Sequence, residues 1–152
     1  MTIRILVDAD ACPVKEEIYK VAFRTDTPVS IVANAPLRIP KHELISRIVV
    51  DDKMDAADDW IAESADAASV VITADILLAE RALKRDAIVL APNGKPFTKD
   101  TIGSALATRA IMSDLRAGAE MSTAGGPAPF KKEDRSRFLS ALDEALNRLK
   151  RS

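Results

Sequence analysis

Residues 3–33 have the sequence IRILVDADACPVKEEIYKVAFRTDTPVSIVA, which combines two kinds of hydrophobic period. Its two ends, Ile3–Val7 and Val29–Ala33, are short runs rich in β-branched residues and are typical of strands. The apolar residues between them recur at helical spacing, which predicts a helix over about Pro13–Arg24. A strand, a helix and a second strand in this order indicate a parallel sheet covered by helices.

The same alternation continues to the end of the chain and predicts an α/β fold with a mostly parallel central sheet of four or five strands. The last segment is an amphipathic helix, whose apolar stripe must cover either the domain or a partner, so a homodimer stays open. The further predicted strands are Ile48–Val50, Ser69–Thr73 and Ala87–Ala91, and the further predicted helices are Asp55–Ala67, Ile76–Lys84, Thr101–Ala117 and Lys131–Arg151.

Length and composition favour one globular domain spanning residues 1–152, with 47% hydrophobic and 30% charged residues. The apolar runs are too short for a membrane span, and no signal peptide precedes the first strand. Cys12 is the only cysteine, so no internal disulfide can form, and we expect a cytoplasmic protein. A net charge of −1 lacks the basic excess of a high-affinity nucleic-acid binder, so any such contact must be local or metal-mediated.

Two acids, Asp8 and Asp10, stand where the first strand meets its loop. Extended geometry would direct both side chains to the same face of the sheet. The alternative is that Asp10 caps the first helix and that Asp8 forms a turn, both common uses of aspartate.

Further acids mark the beginnings of two later helices. Asp55, Asp58 and Asp59 lie within one turn of the second helix, and Asp75 precedes the third. Capping and the helix dipole could account for each of them separately. In a parallel sheet, however, the carboxyl ends of the strands share one edge, so Asp8, Asp10 and Asp75 should lie there together.

Several carboxylates in one crevice repel one another, and a bound cation removes that repulsion. Oxygen ligands favour Mg²⁺ or Mn²⁺ over zinc, because His42 and Cys12 are single and distant in the sequence. The sequence therefore predicts a divalent cation site at this edge.

Several segments together form a specific pattern: VDADACPVK (7–15), VANAPLRIP (32–40), DAADDWI (55–61), VITADILLA (71–79), APNGKPFT (91–98), residues 109–118 and GGP (125–127). In these segments the chain resembles the YaiI/YqxD family of bacterial proteins, and the resemblance covers almost its whole length. This resemblance implies a three-layer α/β/α, Rossmann-like domain of the PIN-like nuclease type, with Asp8, Asp10, Asp75 and acids of Asp55–Asp59 at the positions of a metal centre.

The corresponding hypothesis is a Mg²⁺- or Mn²⁺-dependent phosphodiesterase acting on nucleic acid, with RNA favoured over DNA. Sequence does not separate ligands from residues that orient water. The candidate catalytic residues are Asp8, Asp10, Asp58 and Asp75, the candidate metal ligands are Asp8, Asp55, Asp59 and Asp75, and the candidate phosphate contacts are Arg38, Lys95, Arg109, Arg116, Gly125 and Gly126.

Two alternatives remain at this stage. The first is a non-catalytic module that binds RNA or protein and carries a structural or vestigial metal site. The second is a phosphatase of the haloacid-dehalogenase type, since Asp8 and Asp10 fit its nucleophile and acid. Its order of motifs does not fit, because Asp58 and Asp59 precede the strand that ends at Thr73 instead of following it.

Overall fold

The computed structural model describes residues 2–10, 12–51, 55–119 and 130–151, and only the backbone within residues 112–119. Six strands in these residues form one sheet. They are β1 (Arg4–Asp8), β2 (Val29–Ala33), β3 (Ile45–Val49), β4 (Ser69–Ile72), β5 (Ile88–Leu90) and β6 (Pro96–Phe97). Their order in the sheet is β3-β2-β1-β4-β5-β6, and every neighbouring pair is parallel except β5 and β6.

Five helices accompany the sheet in the described part of the chain: α1 (Lys15–Thr25), α2 (Ala56–Ser64), α3 (Ile76–Lys84), α4 (Lys99–Ala119) and α5 (Lys132–Arg151). They lie on both faces of the sheet, because alternate strand residues pack into different clusters. Ile5 and Val7 of β1 pack with α1 and α5, whereas Leu6 packs with α2, α3 and α4. The predicted fold class, a mostly parallel α/β sheet between helical layers, is confirmed.

Helix α5 covers the sheet of its own chain. Its apolar stripe at Phe138, Leu142 and Leu146 is fully buried in the cluster that contains α1. The stripe that the sequence left open to a partner is therefore occupied by the protein's own core. No helix among the described residues is long and apolar enough to cross a membrane.

The sheet is wider than predicted. Strand β6 was not predicted, because two residues are too few to show an alternating pattern, and Pro96 is tolerated on an edge strand. Strand β3 begins at Ile45 rather than at Ile48, since most of this edge strand faces solvent and its pattern is polar.

Several helix boundaries also differ from prediction, and α4 runs over Lys99–Ala119, two residues longer at each end than the predicted Thr101–Ala117. Helix α1 begins at Lys15, because Val14 is not helical, and the carbonyl of Pro13 instead accepts a hydrogen bond from Arg135 of α5 at 2.7 Å. Helix α2 ends at Ser64, three residues early. The carbonyls at that end are satisfied by arginines, with Arg85 bound to those of Glu63 and Ala65.

The order of the strands creates one special place in the fold. Strand β1 lies between β2 and β4, so the chain winds outward in both directions from the gap between β1 and β4. Ligand crevices of open α/β sheets form at the carboxyl ends of the strands at such a switch point.

Candidate functional site

Asp8 ends β1 at this switch point. The parallel register pairs Val7 with Ile72, so the next residue along each strand brings Asp8 beside Thr73. The Thr73 hydroxyl donates a hydrogen bond to Asp8 Oδ2 at 2.9 Å. Since Asp8 follows Leu6 by two positions, it lies on the face of the sheet that α2 and α3 cover.

Asp75 stands two residues beyond Thr73 and caps α3. Its Oδ1 accepts hydrogen bonds from the amides of Leu77 at 2.9 Å and Leu78 at 3.4 Å. Its own amide donates to Thr73 Oγ1 at 3.0 Å, so one buried hydroxyl links the Asp8 carboxylate to the backbone of Asp75. The capping role expected for Asp75 is present, and it places the carboxylate beside Asp8.

Asp58 approaches the same point from the first turn of α2. The pKa of Asp58 is raised to about 6, mainly by burial, to which the negative charges of Asp75, Asp8 and Asp55 and a hydrogen bond with Asp75 add. Asp58 therefore keeps its proton to a higher pH because it is partly buried and because other carboxylates are near. Three elements distant in sequence thus bring Asp8, Asp58 and Asp75 together.

Asp8 shows the same electrostatic strain. Burial raises the pKa of Asp8, the hydrogen bond from Thr73 opposes that rise, and the charges of Asp10 and Asp75 add to it. Ionising these acids in the folded protein costs free energy, and a bound cation would remove that cost.

The acids border an open crevice of about 390 Å³. Arg109 of α4 lines the crevice and supplies a positive charge beside the carboxylates. Ile76 gives the crevice an apolar side. Its described lining consists of Asp8, Asp10, Ala74, Asp75, Ile76 and Arg109.

Asp10 lies on the exposed rim of the crevice. It does not cap α1, since the residue at the capping position is Val14, which has no side-chain capping bond. Its negative charge raises the pKa of the neighbouring Asp8, and a hydrogen bond from its backbone amide opposes that rise.

Two acids of α2 are placed differently from the cluster. Asp59 forms an ion pair with Arg81 of α3 at 2.8 Å, and both side chains are about half exposed. This pairing directs the Asp59 carboxylate to the surface rather than into the crevice. Asp55 is exposed at the capping position of α2 with φ of 71°, and only its charge reaches Asp58.

The remaining candidate phosphate contacts divide into two groups. Arg38 is exposed on the segment between β2 and β3, and Lys95 is exposed in the turn between β5 and β6. Neither lines the crevice. The side chain of Arg116 and both Gly125 and Gly126 lie outside the described residues.

Comparison with known proteins identifies the family. The family model described as "Uncharacterized BCR, YaiI/YqxD family" matches residues 6–148. The chain belongs to the YaiI/YqxD family. YaiI/YqxD relatives of similar length carry the name UPF0178 protein. One from Sphingopyxis alaskensis is 67% identical, covering 97% of this chain and 95% of its own length.

Other YaiI/YqxD relatives are similarly complete. A UPF0178 protein from Nitrobacter winogradskyi is 58% identical over 99% of this chain and 94% of its own length. One from Brucella ovis is also 58% identical, over 99% of this chain and 93% of its own length. No solved structure gives a significant match.

Thr73 is the residue of this YaiI/YqxD site that sequence reasoning missed. The position of Asp75 after a buried strand identified it as a helix cap. That position gave no reason to choose Thr73 as a hydrogen-bond donor. The signal was available in the strand pairing: once β4 is placed beside β1, the residue after Ile72 must lie next to Asp8.

The donor chemistry of the YaiI/YqxD site fits a hard divalent cation, because carboxylate oxygens whose charging is costly are what Mg²⁺ and Mn²⁺ relieve. Among the described side chains, no group of three or more His, Cys, Asp or Glu is positioned to hold a metal ion. Mg²⁺ is commonly bound by one or two carboxylates and several waters, so a fit needs fewer than three of these acids.

Proposed function

We propose that this YaiI/YqxD chain is a Mg²⁺- or Mn²⁺-dependent phosphodiesterase that acts on nucleic acid, with RNA as the preferred class. The observation that carries the proposal is the convergence of Asp8, Asp58 and Asp75 beside Arg109 at the switch point of the sheet. A cytoplasmic location is part of the proposal.

The electrostatics support this assignment better than capping alone does. Capping accounts for the position of Asp75 but gives no reason for Asp8 and Asp58 to be near it. Perturbed carboxyl groups that share a crevice are typical of functional sites. The positive side chain of Arg109 then faces the place where a phosphate would enter.

In the proposed reaction the chain's own residues bind, orient and accept protons. One or two of Asp8, Asp58 and Asp75, together with waters, would hold the divalent ion, which would supply polarisation of the phosphodiester and a more acidic water. Arg109 would donate hydrogen bonds to a phosphate oxygen, and Asp10, on the exposed rim, would orient the attacking water and accept its proton. Thr73 fixes the Asp8 carboxylate through its hydroxyl.

Neighbouring acids on α2 give the experiment a matched control. Cleavage of end-labelled RNA and DNA in Mg²⁺ or Mn²⁺ is compared for the wild type, Asp58→Asn and Asp59→Asn. We expect Asp58→Asn to lose at least about 100-fold in kcat/KM and Asp59→Asn to retain activity within about threefold, since Asp59 faces Arg81. Equal losses in both variants, or no cleavage of any substrate, would refute the proposal.

A non-catalytic binding module is the second candidate, and one observation favours it: no three of the described His, Cys, Asp or Glu side chains are positioned around a common ion. Under this alternative, RNA or protein would bind without turnover. Binding that persists in Mn²⁺ with no cleavage product over long incubation would select it over the phosphodiesterase.

A further inference from the structure

We infer that the crevice takes short single-stranded RNA, about three nucleotides with one or two phosphates bound, rather than a long strand tracked across the surface. This inference rests on the proposed function and specifies its substrate class. Three observations carry it: the charge of the crevice, the placement of the other cations and the size of the cavity.

The crevice offers little positive charge for a polyanion. Among its described lining residues, Arg109 is the one cation, while Asp8, Asp10 and Asp75 are acids and Asp58 stands beside them. A divalent ion would balance part of this negative charge. The remaining capacity is enough for one or two phosphates, whereas an extended strand needs a continuous basic groove.

Of the other candidate phosphate contacts that the structure describes, neither Arg38 nor Lys95 lines the crevice. Arg38 lies on the segment that connects β2 to β3. Arg47 of β3 holds this segment through a hydrogen bond to the Leu37 carbonyl at 3.0 Å. Leu37 and Ile39 on either side of Arg38 pack against the cluster of α1 and α5, on the opposite face of the sheet from Asp58.

The sequence of the remaining segments supplies few additional charges. Residues 120–129, EMSTAGGPAP, contain no lysine or arginine. Residues 112–119 contain Arg116 alone, and residues 52–54 contain Lys53 alone.

The size and lining of the crevice agree with a short ligand. A volume of about 390 Å³ falls in the range of sites for one small molecule, so the crevice would hold one nucleotide and the flanking nucleotides of the short RNA would lie outside it. Stacking surfaces for successive bases are few in the described part of the chain, because Tyr19 is buried and Trp60 and Phe97 are partly buried against the core. Ile76 offers one apolar contact for one base.

The test is the salt dependence of binding for two RNA lengths. Fluorescence anisotropy compares labelled RNAs of about three and about fifteen nucleotides in Mg²⁺ over a range of salt, where single strands give a slope of about −0.7 per phosphate contact. The protein used is Asp10→Asn, which removes the proposed proton acceptor so that RNA cleavage is suppressed, and leaves unchanged the acids that would hold the ion.

We expect both RNAs to bind with similar affinity per binding register, that is, after allowance for the larger number of positions at which the longer RNA can bind. We expect the logarithm of the binding constant to fall with the logarithm of the salt concentration with a slope between about −0.7 and −1.4. Adding Arg109→Gln should reduce the steepness by about 0.7, whereas adding Lys95→Gln, which removes the same charge outside the crevice, should leave the slope unchanged. Binding of the longer RNA that is ten-fold tighter per binding register with a slope steeper than about −3, or an equal effect of Lys95→Gln, would overturn the inference and leave the proposed function standing. Failure of both RNAs to bind would overturn both.

Discussion

At the scale of single residues, Asp58 reports most directly on the cluster. Its pKa of about 6 means that the folded protein binds this proton more tightly than the unfolded chain, in which the pKa is near 3.8. The charged form therefore destabilises the fold. The penalty is absent below pH 3.8, grows as pH rises toward 6 and is complete above it.

Replacing Asp58 by asparagine removes that penalty. A shift of two pKa units corresponds to about 3 kcal/mol, which partial exposure to solvent reduces to about 1 kcal/mol. We expect Asp58→Asn to raise the free energy of unfolding by about 1 kcal/mol at pH 8 and by close to zero at pH 3.5, measured by urea denaturation without metal. Asp59→Asn, which only breaks the exposed pair with Arg81, should lower it slightly or leave it unchanged. Destabilisation by Asp58→Asn at pH 8 would contradict this account of the cluster.

Thr73 is the second residue with a specific expected effect. Its buried hydroxyl donates to Asp8 and accepts from the Asp75 amide, so Thr73→Val leaves both without this partner. We expect Thr73→Val to lower the free energy of unfolding at pH 7 by about 2 kcal/mol, and Thr73→Ser, which keeps the hydroxyl, by clearly less. Equal losses for valine and serine would indicate that packing of the methyl group matters and the hydrogen bonds do not.

At the scale of elements, the attachment of α5 to the sheet depends on one glycine. Gly94 has φ of 88° in the turn before β6, and a Cβ there would lie 2.6 Å from the carbonyl carbon of Arg137 and 2.7 Å from the amide nitrogen of Phe138. Both are backbone atoms of α5 and cannot rotate away. The close approach of this turn lets Phe138 enter the core.

Gly94→Ala and Gly103→Ala make a matched pair for this contact. Gly94→Ala should lower the free energy of unfolding by more than about 2 kcal/mol, through the clash and the left-handed backbone. Gly103 is in α4 with nothing within 4 Å of its added Cβ, so Gly103→Ala should raise it by about 0.5–1 kcal/mol. Thermal denaturation of both variants gives the comparison, and a stable Gly94→Ala protein would show that α5 is held less closely than described.

Strands and helices whose own residues carry a clear pattern could be predicted from the sequence. Elements whose existence or boundaries depend on contacts with distant residues could not. Strand β2 and helix α3 were predicted to the residue, because a continuous apolar run and a capping aspartate mark them. Strand β6 exists only through its pairing with β5, and α2 ends where Arg4 and Arg85 bind its last carbonyls. Such contacts join residues distant in sequence.

The same distinction applies to the site. That Asp8 and Asp75 share an edge follows from the rule for parallel sheets and could be predicted. The choice between Asp58 and Asp59 could not, because adjacent acids in one helical turn look alike until Arg81 of another helix pairs with one of them. Thr73 required the register of β1 and β4.

At the scale of the whole molecule, the fold concentrates negative charge at one place. Strand β1 and the beginnings of α2 and α3 meet at the switch point, and the apolar layers behind them fix their positions. The central claim is that Asp8, Asp58 and Asp75 together create a demand for a divalent cation, which folding imposes and unfolding removes.

A Mn²⁺ titration of the melting midpoint tests that claim most directly, because an ion that binds only the folded state stabilises it by mass action. At pH 7.5 and ten times the dissociation constant, we expect a gain of about 1.4 kcal/mol and a rise of about 3–6 °C for the wild type and Asp59→Asn. The rise should be smaller for Asp58→Asn, and it should fade below pH 6, where Asp58 keeps its proton. A midpoint that does not move in millimolar Mn²⁺, or that moves equally in Asp58→Asn, would contradict the account.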